Sequence, residues 1–324
     1  MKRVDKCLMI GLTIFFLTVL LSNAFASEFP EKNINFEIGY SVGGGNDIIA
    51  RALAPEMEKL MGVKVIVSNF PGAGGSICAQ KIAAQEPNYF ISLYSKSLVL
   101  MQYTGYGQVN IADFTPIAQV VEDTAALFVP SDAPYNTLPG FIAYAKTHPG
   151  EVKIANGGTG ALWHLAAVQL TKITGIEVKH VPYKGGAPAV IATAAYEVEA
   201  GIANPAETRS LVETGDLKFL AFMSDKRNLA YPDVPTAKEM GVDFVFPVWR
   251  GIFTAAGSSA EENQILANYI KEAVDSDPFK EFMGKVGLPI RYRGPDDFAK
   301  LVHEEDVLYA QLLEELGLKI SEPK

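Results

Sequence analysis

Four times along the chain a short apolar run ends in a cluster of glycines, and a helical pattern follows at once. Asn33–Tyr40 alternates as a strand does and stops at Gly43-Gly44-Gly45. Asp47–Met61 then carries Ile49, Leu53, Met57 and Leu60 at helical spacing, with Gly62 placed to close it. Val63–Ser68, Pro71-Gly72-Ala73-Gly74-Gly75 and Ser76–Gln85 repeat the phrase. Glu151–Ala155, Asn156-Gly157-Gly158-Thr159-Gly160 and Ala161–Thr174 give it a third time. Ile176–Pro182, Lys184-Gly185-Gly186 and Ala187–Ala195 give it a fourth. Strands that turn through glycine straight into helices point to α/β layers with parallel strands. Pro55 falls inside the first helical pattern and predicts a kink or a short break. The stretch from Ala260 to Leu318 is helix-dominated and reads as packing around a sheet. The echo between the units near Gly43 and Gly157 predicts two lobes built alike, with chain crossings near Leu127–Val129 and Gly251–Phe253. The expected fold class is α/β and two-lobed, each lobe a mostly parallel sheet flanked by helices, with a ligand cleft between them. Residues 27–127 with 249–324 form the first lobe in this reading, and 128–248 the second.

The start of the chain is of a different kind. Lys2, Arg3 and Lys6 precede an uncharged run from Cys7 to Phe25, which ends in Ala24-Phe25-Ala26. A basic start, an apolar middle and a small-x-small end are the parts of a signal peptide, here residues 1–26. The apolar part, Leu8–Leu21, is short against the ~20 residues that a membrane-spanning helix needs. Cleavage after Ala26 is therefore expected, not retention as an anchor. Cys7 lies too early to be a lipid-attachment site and leaves with the signal, so Cys78 alone remains and no internal disulfide can form. A soluble, periplasmic product is expected. The full chain carries a net charge of −9, and the signal removes more positive than negative residues. That balance argues against nucleic acid as a partner, because phosphate binding needs a basic face. An anionic ligand has to be attracted by a few aimed dipoles and not by the overall field.

Several chemistries find no support. His148, His164, His180 and His303 have no metal-type spacing to one another or to Cys78. Ser76 follows Gly74-Gly75, but Cys78 stands where a nucleophile elbow needs its second glycine. Ile48 and Ile77 occupy the places where a dinucleotide fingerprint puts its last glycine, and no Walker lysine follows any of the turns. Glu304-Glu305-Asp306 reads as the solvated face of a helix. No metal, cofactor or catalytic group is expected.

The glycine turns can do something else. A turn that opens a helix presents free N–H groups, the helix dipole favours an anion there, and glycine lets a ligand approach the backbone. Two such turns facing each other across a cleft can hold a carboxylate from both sides. Hydrogen bonds to a charged group contribute roughly 1.5–3 kcal/mol each, so three or four of them reach the ~8 kcal/mol of a micromolar site. Pro71–Gly75 is read as a turn where glycine relieves strain; Gly43–Asp47 and Asn156–Gly160 are read as ligand contacts.

At these residues the sequence resembles the extracytoplasmic solute receptors of tripartite tricarboxylate transporters, the Bug family. The phrases are Phe29-Pro30-Glu31-Lys32-Asn33-Ile34, then Val42-Gly43-Gly44-Gly45-Asn46-Asp47 with Ala50-Arg51, then Asn69-Phe70-Pro71-Gly72-Ala73-Gly74-Gly75. Val181-Pro182-Tyr183-Lys184-Gly185-Gly186, Tyr231-Pro232-Asp233-Val234-Pro235-Thr236 and Trp249-x-Gly-x-Phe follow in order. The resemblance implies a two-lobed periplasmic binding protein of the type II kind, which closes on a small organic acid and presents it to a two-subunit membrane permease. Relatives take di- and tricarboxylates, acidic amino acids or aromatic acids, and tend to be monomers. Carried over, the first ligand turn is Ser41, Gly43, Gly44, Asn46 and Asp47. The second is Asn156, Gly157, Gly158, Thr159 and Gly160, with Trp163 and His164 on the helix that follows. Tyr94-Ser95-Lys96-Ser97 falls where relatives contact ligand with small hydroxyl residues, and Tyr183 and Asn204 complete the set.

Val42 stands where the family usually has proline, and Lys96 and Arg250 are cations where relatives carry small and aromatic residues. Each cation is read either as a clamp on a second carboxylate of the ligand or as half of a surface ion pair. Trp163 either stacks on a planar ligand or belongs to the core. For the whole chain the leading expectation is a non-catalytic transport receptor. The alternatives are a periplasmic sensor feeding a kinase and, behind it, a periplasmic hydrolase.

Overall fold

Ile34, Phe36 and Ile38 have no exposed surface, and together they define the first strand, Ile34–Ile38 (β1). The computed structural model describes residues 29–105, 108–315 and 317–319; the expected signal peptide lies outside the described residues. After β1 come helix Gly45–Met61 (α1), strand Val65–Asn69 (β2), helix Ser76–Ala83 (α2), strand Phe90–Ser95 (β3) and the short helix Ser97–Met101 (α3). Helix α1 runs through Pro55 without a break and stops at Gly62, whose φ of 71° is the left-handed conformation that closes helices. Strands Phe114–Thr124 (β4) and Ala126–Pro130 (β5) are separated by Ala125 alone.

The second set of units follows. It contains helix Leu138–Thr147 (α4), strand Lys153–Asn156 (β6), helix Leu162–Thr174 (α5), strand Lys179–Pro182 (β7) and helix Gly186–Ala194 (α6). Strand Ala200–Ala203 (β8), helix Pro205–Glu213 (α7) and strand Leu217–Phe222 (β9) complete it. The chain then returns through strand Pro247–Ala255 (β10), helices Ala260–Asp275 (α8) and Asp277–Val286 (α9), strand Ile290–Arg293 (β11) and helix Pro295–Glu315 (α10).

Two sheets result. The first has the order β11-β4-β10-β3-β1-β2 and the second the order β7-β6-β8-β5-β9. Both are mixed, not mostly parallel. The glycine-turn units supply the parallel pairs β1 with β2 and β3, and β6 with β7 and β8. The strands that carry the chain between sheets run the other way: β10 is antiparallel to β3 and β4, and β5 to β8 and β9. The chain changes sheet at Ala125 and between Phe222 and Pro247, so the crossings expected at 127–129 and 251–253 fall inside β5 and β10.

The two crossings are tied together. Met223 donates its N–H to Ala125 O at 2.9 Å and Phe246 donates to Met223 O at 2.8 Å. The buried Thr124 hydroxyl donates to Met223 O, with Phe246 O also in reach at 3.3 Å. Separate apolar cores lie against the two sheets. Ile49, Leu53 and Met57 of α1 pack with Leu266 and Ile270 of α8 on the first. Phe128, Phe141, Leu165 and Phe222 pack on the second. Helix α10 serves both: Phe298 and Val302 join Trp249 and Phe253, while Tyr309 and Leu313 join the core of the second sheet. Among the described residues no helix is long and apolar enough to cross a membrane.

Candidate ligand-binding site

Where β1 ends, the chain turns through Ser41–Gly44 into α1, and the turn is held from within. Gly44 donates its N–H to Ser41 O at 3.1 Å, and Gly43, with φ of +80°, donates to Asp47 Oδ2 at 2.9 Å. Asp47 also accepts from Asn69 Nδ2 and Arg51 Nε, each at 2.9 Å. Burial alone pushes its carboxyl up, but the Gly43, Asn69 and Arg51 donors outweigh burial and hold it below the usual range. Asp47 is thus occupied in fixing the turn. Asn46 is buried, donates to Leu93 O at 2.9 Å and accepts from Arg250 Nη1. The next amide, Gly45 N–H, reaches the other lobe and donates to Glu207 Oε1 at 3.1 Å.

Arg250 stands on β10 opposite Ser95 of β3. Its Nε donates to Asp123 Oδ2 at 2.9 Å, with the two side chains 5% and 1% exposed. Asn204 Nδ2 donates to the same oxygen from the second lobe, while Asn204 Oδ1 caps α7 by accepting from Ala206 N–H at 2.8 Å. Burial pushes the Asp123 and Glu207 carboxyls up; Arg250 opposes this without cancelling it. Three buried atoms of this cluster have no hydrogen-bond partner in the protein: Arg250 Nη2, Asp123 Oδ1 and Glu207 Oε2. Asp123 and Glu207 are the residues that sequence reasoning missed. Asn204-Pro205-Ala206-Glu207 is a legible helix start, with a capping residue and an acid three positions on. That the acid reaches across to Gly45 is not legible.

The second turn begins at Asn156, fully buried at the end of β6. Its Oδ1 accepts from Gly158 N–H at 3.2 Å, while its Nδ2 has no partner. Gly160 donates to His164 Nδ1 at 3.0 Å, so that nitrogen is an acceptor and the imidazole is neutral. Burial and the perpendicular His180 ring, 5.0 Å away, push the His164 pKa down to about 4. The turn meets the first lobe at Thr104: a Cβ on Gly160 would lie 3.0 Å from Thr104 Cβ. Trp163 belongs to the core of the second sheet, with its Cδ1 against Gly157. Thr159 is exposed, and Tyr183 donates its N–H to Asn156 O and its hydroxyl to Glu197.

Ser95 and Ser97 share a hydrogen bond at 2.9 Å, and Ser97 also meets the Tyr40 hydroxyl. Lys96 is spent on α10. Its Nζ lies 2.8 Å from Tyr309 Oη and 3.2 Å from Glu305 Oε1, over the rings of Phe246 and Tyr309. Burial works against its charge, but Tyr309 and Glu305 raise its pKa overall, so it stays an ammonium. The fold therefore brings Asn46, Asn204 and Arg250 into one cluster and keeps Asn156–Gly160 with Trp163 and His164 in another. Lys96 and Tyr183 are engaged elsewhere.

The sequence and the fold have counterparts. The family model of the tripartite tricarboxylate transporter family receptor matches residues 49–318. A protein of Cupriavidus necator, "UPF0065 protein in gbd 5'region", is 31% identical over 306 residues, which are 93% of each chain. The periplasmic binding protein BugD superposes with a TM-score of 0.83 at 27% identity, over 90% of this chain and 99% of that one. Two structures from Rhodopseudomonas palustris share the fold at lower identity. MatC with bound malate has a TM-score of 0.80 at 23% identity, over 88% of this chain and 100% of that one. Rpa4515 with adipate has a TM-score of 0.83 at 24% identity, over 89% and 98%. With glycine turns opening helices on both sheets, and a match that spans nearly all the described chain, this protein belongs to the tripartite tricarboxylate transporter receptor family.

Proposed function

We propose that this protein is a periplasmic solute receptor that binds a small organic acid between its lobes and hands it to a two-subunit membrane permease. In this reading residues 1–26 are a cleavable signal, and the mature chain works as a monomer with no cofactor. The lobes part where the chain changes sheet, at Ala125 and between Phe222 and Pro247. The observation that carries the reading is a pair of buried donors without protein partners: Arg250 Nη2 on the first sheet and Asn156 Nδ2 on the second. A carboxylate oxygen is the ligand atom that best satisfies a buried guanidinium or amide N–H of this kind. Malate and adipate bound in two structures of this fold support a carboxylate ligand, and the family description supports delivery to a transporter.

A thermal-stability screen of organic acids tests this. A ligand at a hundredfold excess over its Kd stabilises the folded state by about 2.7 kcal/mol. Stabilisation by at least one acid is expected, with the acid recovered chemically unchanged. A complete lack of response across mono-, di- and tricarboxylates overturns the carboxylate reading, and release of a product overturns the receptor reading.

A further inference from the structure

Three groups offer positive potential to a second carboxylate of a ligand: the Gly45 amide at the start of α1, the Arg250 guanidinium and the Lys96 ammonium. Each already faces a carboxylate of the chain itself. Gly45 N–H donates to Glu207 Oε1 at 3.1 Å, Arg250 Nε to Asp123 Oδ2 at 2.9 Å, and Lys96 Nζ to Glu305 Oε1 at 3.2 Å. The Arg250, Asp123 and Lys96 side chains are at most 5% exposed, so solvent does little to screen these charges. Glu207 is seated between the starts of two helices. Its Oε1 takes the α1 amide, and its Oε2 lies so close to Gly186, the first residue of α6, that a Cβ there would come within 1.7 Å. The protein thereby supplies from α7 the anion that the α1 turn would otherwise take from a ligand.

The remaining valences describe what is missing. The donors left over in the two site clusters are Arg250 Nη2 beside Asp123 and Asn156 Nδ2 in the second turn, and each can take a carboxylate oxygen. The acceptors left over are Asp123 Oδ1 and Glu207 Oε2, which call for a hydroxyl or N–H donor and repel a second acid. Around Arg250 the two carboxylates already outnumber the one cation.

We infer that the cleft is built for an acid with one carboxylate and a hydrogen-bond donor at its other end, and that Glu207 is the residue that excludes the diacid. This rests on the carboxylate-receptor reading above. Glu207 is a specificity-determining residue: its charge opposes a second carboxylate, and its Oε1 holds the amide such a group needs.

Titration calorimetry on the full mature protein with matched probes decides the matter. The pairs are adipate against 6-hydroxyhexanoate and malate against 2,4-dihydroxybutyrate, in which a distal carboxylate is replaced by a hydroxymethyl group. The wild-type protein is expected to bind the hydroxy acid at least tenfold tighter than the diacid in at least one pair. Glu207→Gln, which keeps the shape and removes the charge, is expected to shrink that ratio at least tenfold by tightening the diacid. Glu207→Ala, which also frees the Gly45 amide, is expected to shrink it further. A wild-type protein that binds adipate or malate tighter than its hydroxy partner overturns the inference, whatever the variants do. So does a Glu207→Gln variant that changes both members of a pair by the same factor. If neither member of either pair binds the wild type, this inference falls, while the carboxylate-receptor reading is decided separately by the wider acid screen above.

Discussion

Replacing Arg250 with methionine removes the one cation bonded to Asp123 while keeping most of the apolar stem. Asp123 is then left with the Asn204 amide as its remaining side-chain donor, in a place where its side chain is 1% exposed. Asn46 Oδ1 loses its donor as well. Removing one partner of a buried ion pair costs about 3–5 kcal/mol, because the surviving charge keeps its desolvation penalty and loses its compensation. Asp123→Asn strands the guanidinium and should cost a similar amount. The double variant strands neither member of the pair, and only the neighbouring Glu207 still loses the cation that offsets its burial. It should be less destabilised than the sum of the singles by about 2–3 kcal/mol, the coupling expected of groups in direct contact. Equilibrium unfolding in urea, followed by both circular dichroism and tryptophan fluorescence, measures all four proteins and shows whether each unfolds in one transition. A single-variant cost below about 1 kcal/mol, or strict additivity in the double, would refute the claim that this pair is a buried, mutually dependent unit.

Three further outcomes are expected. His164 is neutral in the folded state with its pKa pushed down to about 4, against about 6.5 when unfolded. The unfolded chain therefore binds a proton first as pH falls, and His164 takes stability away between pH 6.5 and 4. His164→Gln should flatten the decline in melting temperature over that window, and an unchanged slope would count against the assignment. Gly251→Ala places a Cβ 2.2 Å from the buried Phe298 ring and should cost about 1–3 kcal/mol in urea unfolding by overpacking; a neutral result would show that the α10 contact yields freely. Cys78 is fully buried, and burial pushes its thiol up to about 11. A thiol reagent should leave the native protein unlabelled and react fully after unfolding.

Legibility in the sequence follows the range of the interaction. The glycine-turn units appear within a residue or three of where the sequence puts them, because turn, cap and helix pattern are set by neighbours. Gly62 closes its helix in the left-handed conformation, as expected, and Gly175 does the same for α5. The mixed character of the sheets was not legible, since the direction of β4, β5 and β10 depends on which strand each meets far along the chain. The site shows the same division. Asn46 and Asn156 stand next to glycine turns and are legible from those turns, while Asn204 enters only through the family resemblance. Asp123 and Glu207 matter through partners 127 and 162 residues away, and no local pattern marks them. Arg250 and Lys96 were visible as isolated cations, but whether each faces a ligand or a carboxylate of the protein is decided by those distant partners.

The position of β10 in the first sheet has a consequence for how the molecule comes into being. β3 and β4 never touch except through β10, which lies between them. Everything up to Phe246 can be made while the first sheet remains in two unjoined pieces, and the strand that zips them arrives only after the whole second sheet has passed. A chain arranged this way has its most numerous distant pairings last, which slows early collapse. For a receptor exported as proposed above, this strand order keeps the first sheet from closing until the C-terminal quarter of the chain has emerged.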